Sequence, residues 1–153
     1  MEGAILDAIE QGDHDKAAGL LKDAKNTDLS LCLVRACRFG QLECVRLLFA
    51  ARANVNTLEI DGCTPLHAAC MFDGHPDCVQ LLLAARAAID QPDNHGVTPL
   101  YIACKNGNSE CTQLLLAAHA AIDQPDNDGM TPLYATCAYG HSECTQLLLA
   151  ARA

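Results

Sequence analysis

Tryptophan is absent from this chain, and aromatic residues of any kind make up only 4% of it. Half of the residues are nonetheless hydrophobic, so a core has to be assembled from Leu, Ala, Ile, Val and Cys. Long apolar runs are missing as well. Leu81-Leu82-Leu83-Ala84-Ala85 is typical, far short of the roughly 18 to 20 residues that cross a bilayer, which excludes a transmembrane helix and a membrane partner. The start of the chain, with Glu2, Asp7 and Glu10, lacks the basic beginning and apolar centre of a secretory signal. A cytoplasmic location, with the nucleus as the variant, is the expectation.

Positive charge is scarce: 10 Lys and Arg stand against 19 Asp and Glu, for a formal net charge of −9. The imbalance is uneven. Residues 1–30 carry −4, residues 31–59 carry +2 and the remainder −7. A phosphate backbone would be repelled by most of this surface, and the basic island of Arg35, Arg38, Arg46 and Arg52 is too small to reverse that. No nucleic-acid partner is expected. Catalytic signatures are lacking too, with no Gly-rich phosphate loop, no H-E-x-x-H and no nucleophile elbow. The chain reads as a non-enzyme without a cofactor, although a Cys–His pair formed between distant segments stays open.

Cysteine, by contrast, is abundant: ten residues in a chain of 153, a length that suits a single domain. Their placement is regular. Cys37, Cys70, Cys104 and Cys137 form one row, and Cys44, Cys78, Cys111 and Cys144 another. Each sits in a helical apolar pattern, where Cys acts as a small buried hydrophobe. Members of a row on neighbouring helices would lie roughly 8–10 Å apart, beyond the about 7 Å that a disulfide tolerates between Cα atoms. The spacing within each pair also lacks the close ligands of structural zinc sites, so no metal is expected.

The rows belong to an internal repeat. Thr64-Pro65-Leu66-His67, Thr98-Pro99-Leu100-Tyr101 and Thr131-Pro132-Leu133-Tyr134 are separated by 34 and then 33 residues. The extra residue falls between Cys70 and Cys78, near Phe72-Asp73. In each unit the Thr is a helix N-cap and the Pro occupies the first helical position, where its missing N–H costs nothing. Gly74, Gly107 and Gly140 end the first helix with a left-handed residue. A second helix then carries the Leu triplet, and a polar turn such as Asp90-Gln91-Pro92-Asp93-Asn94-His95-Gly96 leads to the next unit.

These features resemble the ankyrin repeat, whose T-P-L-H signature is matched most fully by Asp61-Gly62-Cys63-Thr64-Pro65-Leu66-His67-Ala68-Ala69-Cys70. The resemblance covers nearly the whole chain. It implies an all-α solenoid of helix-turn-helix repeats, with short β-turn or hairpin-like loops between them. The single repeat domain, 1–153, divides into approximate repeats 1–26 (degenerate, a charged N-terminal cap), 27–59, 60–93, 94–126 and 127–153. Repeat two has Leu31-Cys32-Leu33-Val34 in place of the signature, so its first helix lacks the usual cap and its turn is shortened. Tyr101 and Tyr134 replace the family's His, whose hydrogen bonds are therefore not expected there. Arg52, Arg86, His119 and Arg152 stand where the family places a left-handed Gly, a strain on the order of 1 kcal/mol each that a cation at a helix C-terminus partly offsets.

The resemblance also implies a concave groove, lined by the turn tips and the exposed side of the first helices, that holds a protein partner. Residues 86–118 and 119–151 differ at only eight of 33 positions. Five of those differences (His95/Asp128, Val97/Met130, Ile102/Ala135, Lys105/Ala138, Asn106/Tyr139) fall on the implied groove. Carrying these positions across the repeats gives a candidate contact surface. It takes Arg35, Arg38 and Phe39 from repeat two and Ile60, Asp61, Cys63, Met71 and Phe72 from repeat three. Asn94, His95, Val97, Lys105 and Asn106 come from repeat four, and Asp128, Met130 and Tyr139 from repeat five. Phe39, Met71, Phe72 and Tyr139 are the natural anchors, with inter-repeat packing as their competing role. A second expectation comes from the end of the chain. After its Leu-rich helix no polar capping repeat follows Ala151-Arg152-Ala153, so the sequence reads either as part of a longer array, with or without an effector domain, or as an end that self-associates.

Overall fold

A computed structural model describes residues 1–24 and 27–152; Lys25, Asn26 and Ala153, which the repeat boundaries include, lie outside the described residues. Among the described residues ten helices form five antiparallel pairs. They are α1 (Glu2–Glu10) with α2 (His14–Lys22), α3 (Ser30–Arg38) with α4 (Leu42–Ala50), and α5 (Pro65–Cys70) with α6 (Pro76–Ala84). α7 (Pro99–Asn106) with α8 (Ser109–Ala117) and α9 (Pro132–Tyr139) with α10 (Ser142–Ala151) complete the stack. The first helices pack on one another in chain order, as do the second helices, so two helical rows run the length of a solenoid. The expected hairpin-like loops are tight turns: among the described residues no strand is formed.

The first helices of the last three pairs start by the rule read from the sequence. Thr64, Thr98 and Thr131 accept the N–H of the residue three ahead at 3.3, 3.2 and 3.3 Å, and a Pro follows each. α3 has no side-chain cap, and the connection before it, residues 23–29, is half as long as those at 51–64, 85–98 and 118–131. The one-residue insertion shortens α5. That helix stops at Cys70, Met71 is extended, and Phe72 is driven to φ +50°. Arg52, Arg86 and His119 are left-handed as expected, at φ 64°, 63° and 65°. Arg152 is not: α10 runs on to Ala151, and Arg152 keeps a right-handed φ of −84° while pairing with Asp123.

The core is a ladder of identical rungs. Leu33, Leu66 and Leu100 from the first helices, and Leu48, Leu82, Leu115 and Leu148 from the second, are fully buried, each contributing roughly 1.5–3 kcal/mol by leaving water. Nine of the ten cysteines are buried free thiols and fill the gaps between rungs. Cys137 is the exception. It is exposed because it lies on the last first-helix, where no further pair covers its row.

Between pairs, one device repeats. The residue that precedes each of the last three second helices reaches back to the end of the previous first helix: His75 Nε2 to the Arg38 carbonyl at 3.1 Å, His141 Nε2 to that of Lys105 at 3.0 Å. Asn108 Nδ2 does the same with the carbonyls of Cys70 and Phe72, at 2.9 and 3.0 Å. The ring or amide lies against a glycine. A Cβ on Gly107 would fall 2.4 Å from His141 Nδ1, whereas one on Gly140 would meet nothing. Both glycines are left-handed, at φ 74° and 79°. Alanine should therefore cost about 1–2 kcal/mol of backbone strain at either site, and at 107 a further ~1–3 kcal/mol of overpacking. Urea unfolding of Gly107→Ala and Gly140→Ala measures the difference; equal losses would show that the His141 contact contributes nothing.

Candidate functional site

The turns before α5, α7 and α9 are built alike. Glu59, Asp93 and Asp126 each donate a backbone N–H to the carbonyl four residues on, at 2.9 Å in all three. In the two later turns a carboxylate closes the loop from inside: Asp93 Oδ1 accepts from the N–H groups of His95 and Val97 at 2.8 and 2.9 Å, and Asp126 Oδ1 from those of Asp128 and Met130 at 3.0 and 2.8 Å. Asp61 closes the first, accepting from Cys63 N–H at 3.0 Å, and that bond holds its carboxyl below the ordinary range. The tips are then laced together. Asn94 donates its backbone N–H to the Asp61 carbonyl at 2.9 Å and its amide to that of Ile60 at 3.0 Å, and Asn127 repeats this on His95 and Asn94 at 2.9 and 3.1 Å.

His67 adds a latch from below. Its Nδ1 accepts the Thr64 N–H at 3.1 Å, so the proton sits on Nε2, which donates to the Val97 carbonyl of the next turn at 2.9 Å. In repeat four Tyr101 keeps the N-cap bond but not this latch; buried, its phenol faces Asp126 and is pushed up to about 12, by burial first and by that carboxylate next.

Along this row of tips and first helices, Ile60 is 103% exposed, and of the candidate anchors Phe72, Tyr139 and Phe39 are exposed at 69%, 57% and 46%. Met71, Val97 and Met130 are half-buried, while Asp61, His95, Asn106 and Asp128 are exposed. Lys105 lies over the Tyr139 ring, 5.6 Å from its centre, a cation–π distance. Arg35 and Arg38 are already engaged, with Glu10 at 3.6 Å and Glu59 at 2.9 Å. Two candidates change role. Cys63 is only 2% exposed, because the closed loop folds its side chain inward; its thiol is pushed up to about 12 chiefly by burial, and it leaves the contact surface. Asn94 is exposed and takes on a second role, giving its amide and N–H to the preceding tip and so helping to hold the turns in line.

The sequence reading missed Leu58, 54% exposed beside Ile60, and a cleft of about 570 Å³ bounded by Leu31, Leu58, Ile60 and the carboxylates of Glu2, Asp28 and Asp61. A signal was there: Ile60 occupies the place that Asn94 and Asn127 hold in later turns. One inter-repeat Cys–His contact exists, His14 Nδ1 to Cys44 Sγ at 3.3 Å. Burial pushes that thiol up, the opposite of what an activated nucleophile needs. Among the described residues, no three His, Cys, Asp or Glu side chains gather as a metal site, and no helix is long and apolar enough to cross a membrane.

The family described as "Ankyrin repeats (3 copies)" matches residues 5–93 and again residues 73–153, and the chain belongs to it. A similar stretch occurs in protein phosphatase 1 regulatory subunit 27 of Homo sapiens, 35% identical over 78 residues, 47% of this chain and 50% of that protein. The Mus musculus counterpart is 36% identical over 79 residues, with the same shares. The chain thus spans about half the length of the curated relatives it matches.

His67 makes the turn row sensitive to pH. Burial is the main cause that holds its imidazole below the ordinary 6.5. The unfolded chain takes up a proton near that value and the folded chain resists it, so stability is full above about pH 6.5 and drains as the pH falls below. Between about pH 7.5 and about pH 5.5, thermal unfolding should show a larger loss for the wild type than for His67→Gln. Parallel curves would remove His67 as the cause.

Proposed function

We propose that the chain is a non-catalytic protein-binding module that holds a protein partner against its turn tips and first helices, the concave side in this family. The observation that carries this is a division of labour along the stack. Side chains needed for stacking are buried or hydrogen-bonded, while Phe39 and Phe72 stand out in solvent with no such task, and Lys105 and Tyr139 stand out with only their cation–π contact to each other. Large exposed aromatics beside cations are the residues that dominate protein–protein hot spots. The regulatory-subunit relatives support a role in binding rather than catalysis. A cytoplasmic or nuclear setting is part of the same proposal, consistent with ten unpaired thiols.

A second reading concerns the outer face of the last pair, where Tyr134 and Leu149 are 56% and 53% exposed and the Ala138 carbonyl corresponds to those that His75, Asn108 and His141 engage. A further ankyrin repeat with an imidazole or amide donor fits there. A second copy of this chain fits less well end to end, because its first pair offers Asp13, an acceptor, at that position.

Affinity capture from a source-cell lysate tests the main reading. Against the wild type, Phe72→Ala combined with Tyr139→Ala should weaken retention of a partner by roughly tenfold or more, with thermal stability unchanged. Partners retained equally by both proteins would rule out this side as the contact surface. Light scattering tests the second reading: a dimer that survives fusion of a charged C-terminal cap would exclude end-to-end association.

A further inference from the structure

Three consecutive turns are laced tip to tip, and the lacing stops at the turn before α5. Asn94 and Asn127 each give a backbone N–H and a side-chain amide to the tip before them. The residue in the same place in the first of these turns is Ile60. Among the described residues no comparable tip precedes it, and the connection before α3, 23–29, has half the length of the later ones. Among the described residues the Ile60 N–H has no hydrogen-bond partner, and by the equivalence with Asn94 and Asn127 it points to where the missing tip would be. Its side chain is fully solvated and Leu58 stands half-exposed beside it.

The vacancy is the cleft already described. Leu31, Leu58 and Ile60 form its apolar surface, and Glu2, Asp28 and Asp61 bound it. None of those three carboxylates is in an ion pair among the described residues. Arg35 and Glu59 also line the cleft, so its carboxylates outnumber its cations four to one, and the guanidiniums of Arg35 and of nearby Arg38 are held by Glu10 and Glu59. The cleft therefore offers an aliphatic surface, a free backbone donor and an excess of negative charge within one site.

We propose that an extended protein segment alternating basic and aliphatic residues docks in this cleft, in the place of the turn tip that repeat two lacks. One of its carbonyls accepts the Ile60 N–H, as the Asp61 and His95 carbonyls accept from Asn94 and Asn127. An aliphatic side chain covers Leu58 and Ile60, and removing such surface from water is the main source of affinity. Lysine or arginine side chains meet Glu2, Asp28 and Asp61, which fixes the direction of the segment and rejects acidic ones. This inference rests on the reading of the chain as a protein-binding module and specifies one site and the chemistry of its occupant.

The probe is a fluorescein-labelled pool of short peptides with lysine or arginine alternating with valine, leucine or isoleucine, and a matched pool with glutamate at every basic place. The basic pool should raise anisotropy with the whole chain and lose affinity as salt is increased. Ile60→Asn, and separately Glu2→Gln with Asp28→Asn, should each weaken it about tenfold, while Phe72→Ala with Tyr139→Ala leaves it unchanged. In amide NMR spectra of the labelled chain, the largest shifts should fall on Leu58 to Asp61 and Leu31 to Arg35, with the Ile60 amide moving downfield as its hydrogen bond forms. Binding unaffected by the cleft variants, equal binding of the acidic pool, or no binding would each overturn the proposal. Shifts confined to Phe72, Lys105 and Tyr139 would overturn it too, yet leave the broader reading of the chain as a binding module standing.

Discussion

The stack depends on a donor that reaches back one repeat to a helix-end carbonyl. The last carbonyls of any helix have no partner within it, and in a pair of helices this short they make up much of the backbone's unsatisfied polarity. His75, Asn108 and His141 satisfy them from the next repeat, so completing one helix requires the presence of its neighbour. The geometry permits it only because a left-handed glycine leaves the ring or amide room: a Cβ on Gly40 would fall 2.4 Å from His75. Glycine and donor are thus one structural unit split across two repeats. Together with the leucine ladder, this makes a single pair unable to stand alone and gives the array its rigidity.

That unit also absorbs the insertion in repeat three. Cutting α5 at Cys70 frees carbonyls at two places and forces Phe72 into a left-handed conformation that costs a non-glycine residue on the order of 1 kcal/mol. Asn108, with an amide in place of an imidazole, binds both Cys70 and Phe72 carbonyls. The strained bend is thereby fixed, and its by-product is an aromatic ring held out in solvent. At the other boundary the connection is half as long, and none of the described residues takes the place of a turn tip beside Ile60. The irregularities of repeats two and three expose apolar surface at both points because a regular solenoid hides such surface by repetition.

Much of the fold was legible because its signals are local. Thr and Pro mark each later helix start, Gly marks two of the helix ends, and the Cys and Leu rows give the inward faces. What escaped was set by neighbours. Arg152 looked left-handed by analogy with Arg52 and Arg86, but those residues turn the chain toward a following repeat, and at 152 the helix runs on. Cys63 looked like a tip residue by its position, but the carboxylate of Asp61 curls the loop and carries the side chain inward. Asn94 looked like a contact residue, and its bonding groups face the preceding tip instead. The cleft needed two facts at once, an Ile in an Asn position and a missing tip beside it, and only the second is visible without aligning the turns residue by residue.

The eight differences between repeats four and five can now be divided by mechanism. Asn108 and His141 are two donors for one task, and Arg86 and His119 occupy equivalent positions beyond a helix end. Thr136 in place of Ala103 is buried, donates to the Leu133 carbonyl and accepts from Thr145, so its hydroxyl is satisfied within the repeat. Val97/Met130 and Ile102/Ala135 change partly or wholly buried volume. This leaves His95/Asp128, Lys105/Ala138 and Asn106/Tyr139, all solvent-exposed and without a stacking task shared by both copies. The remaining freedom of the sequence therefore lies on the side where tips and first helices meet solvent. There a change in charge or aromatic surface leaves the stack intact.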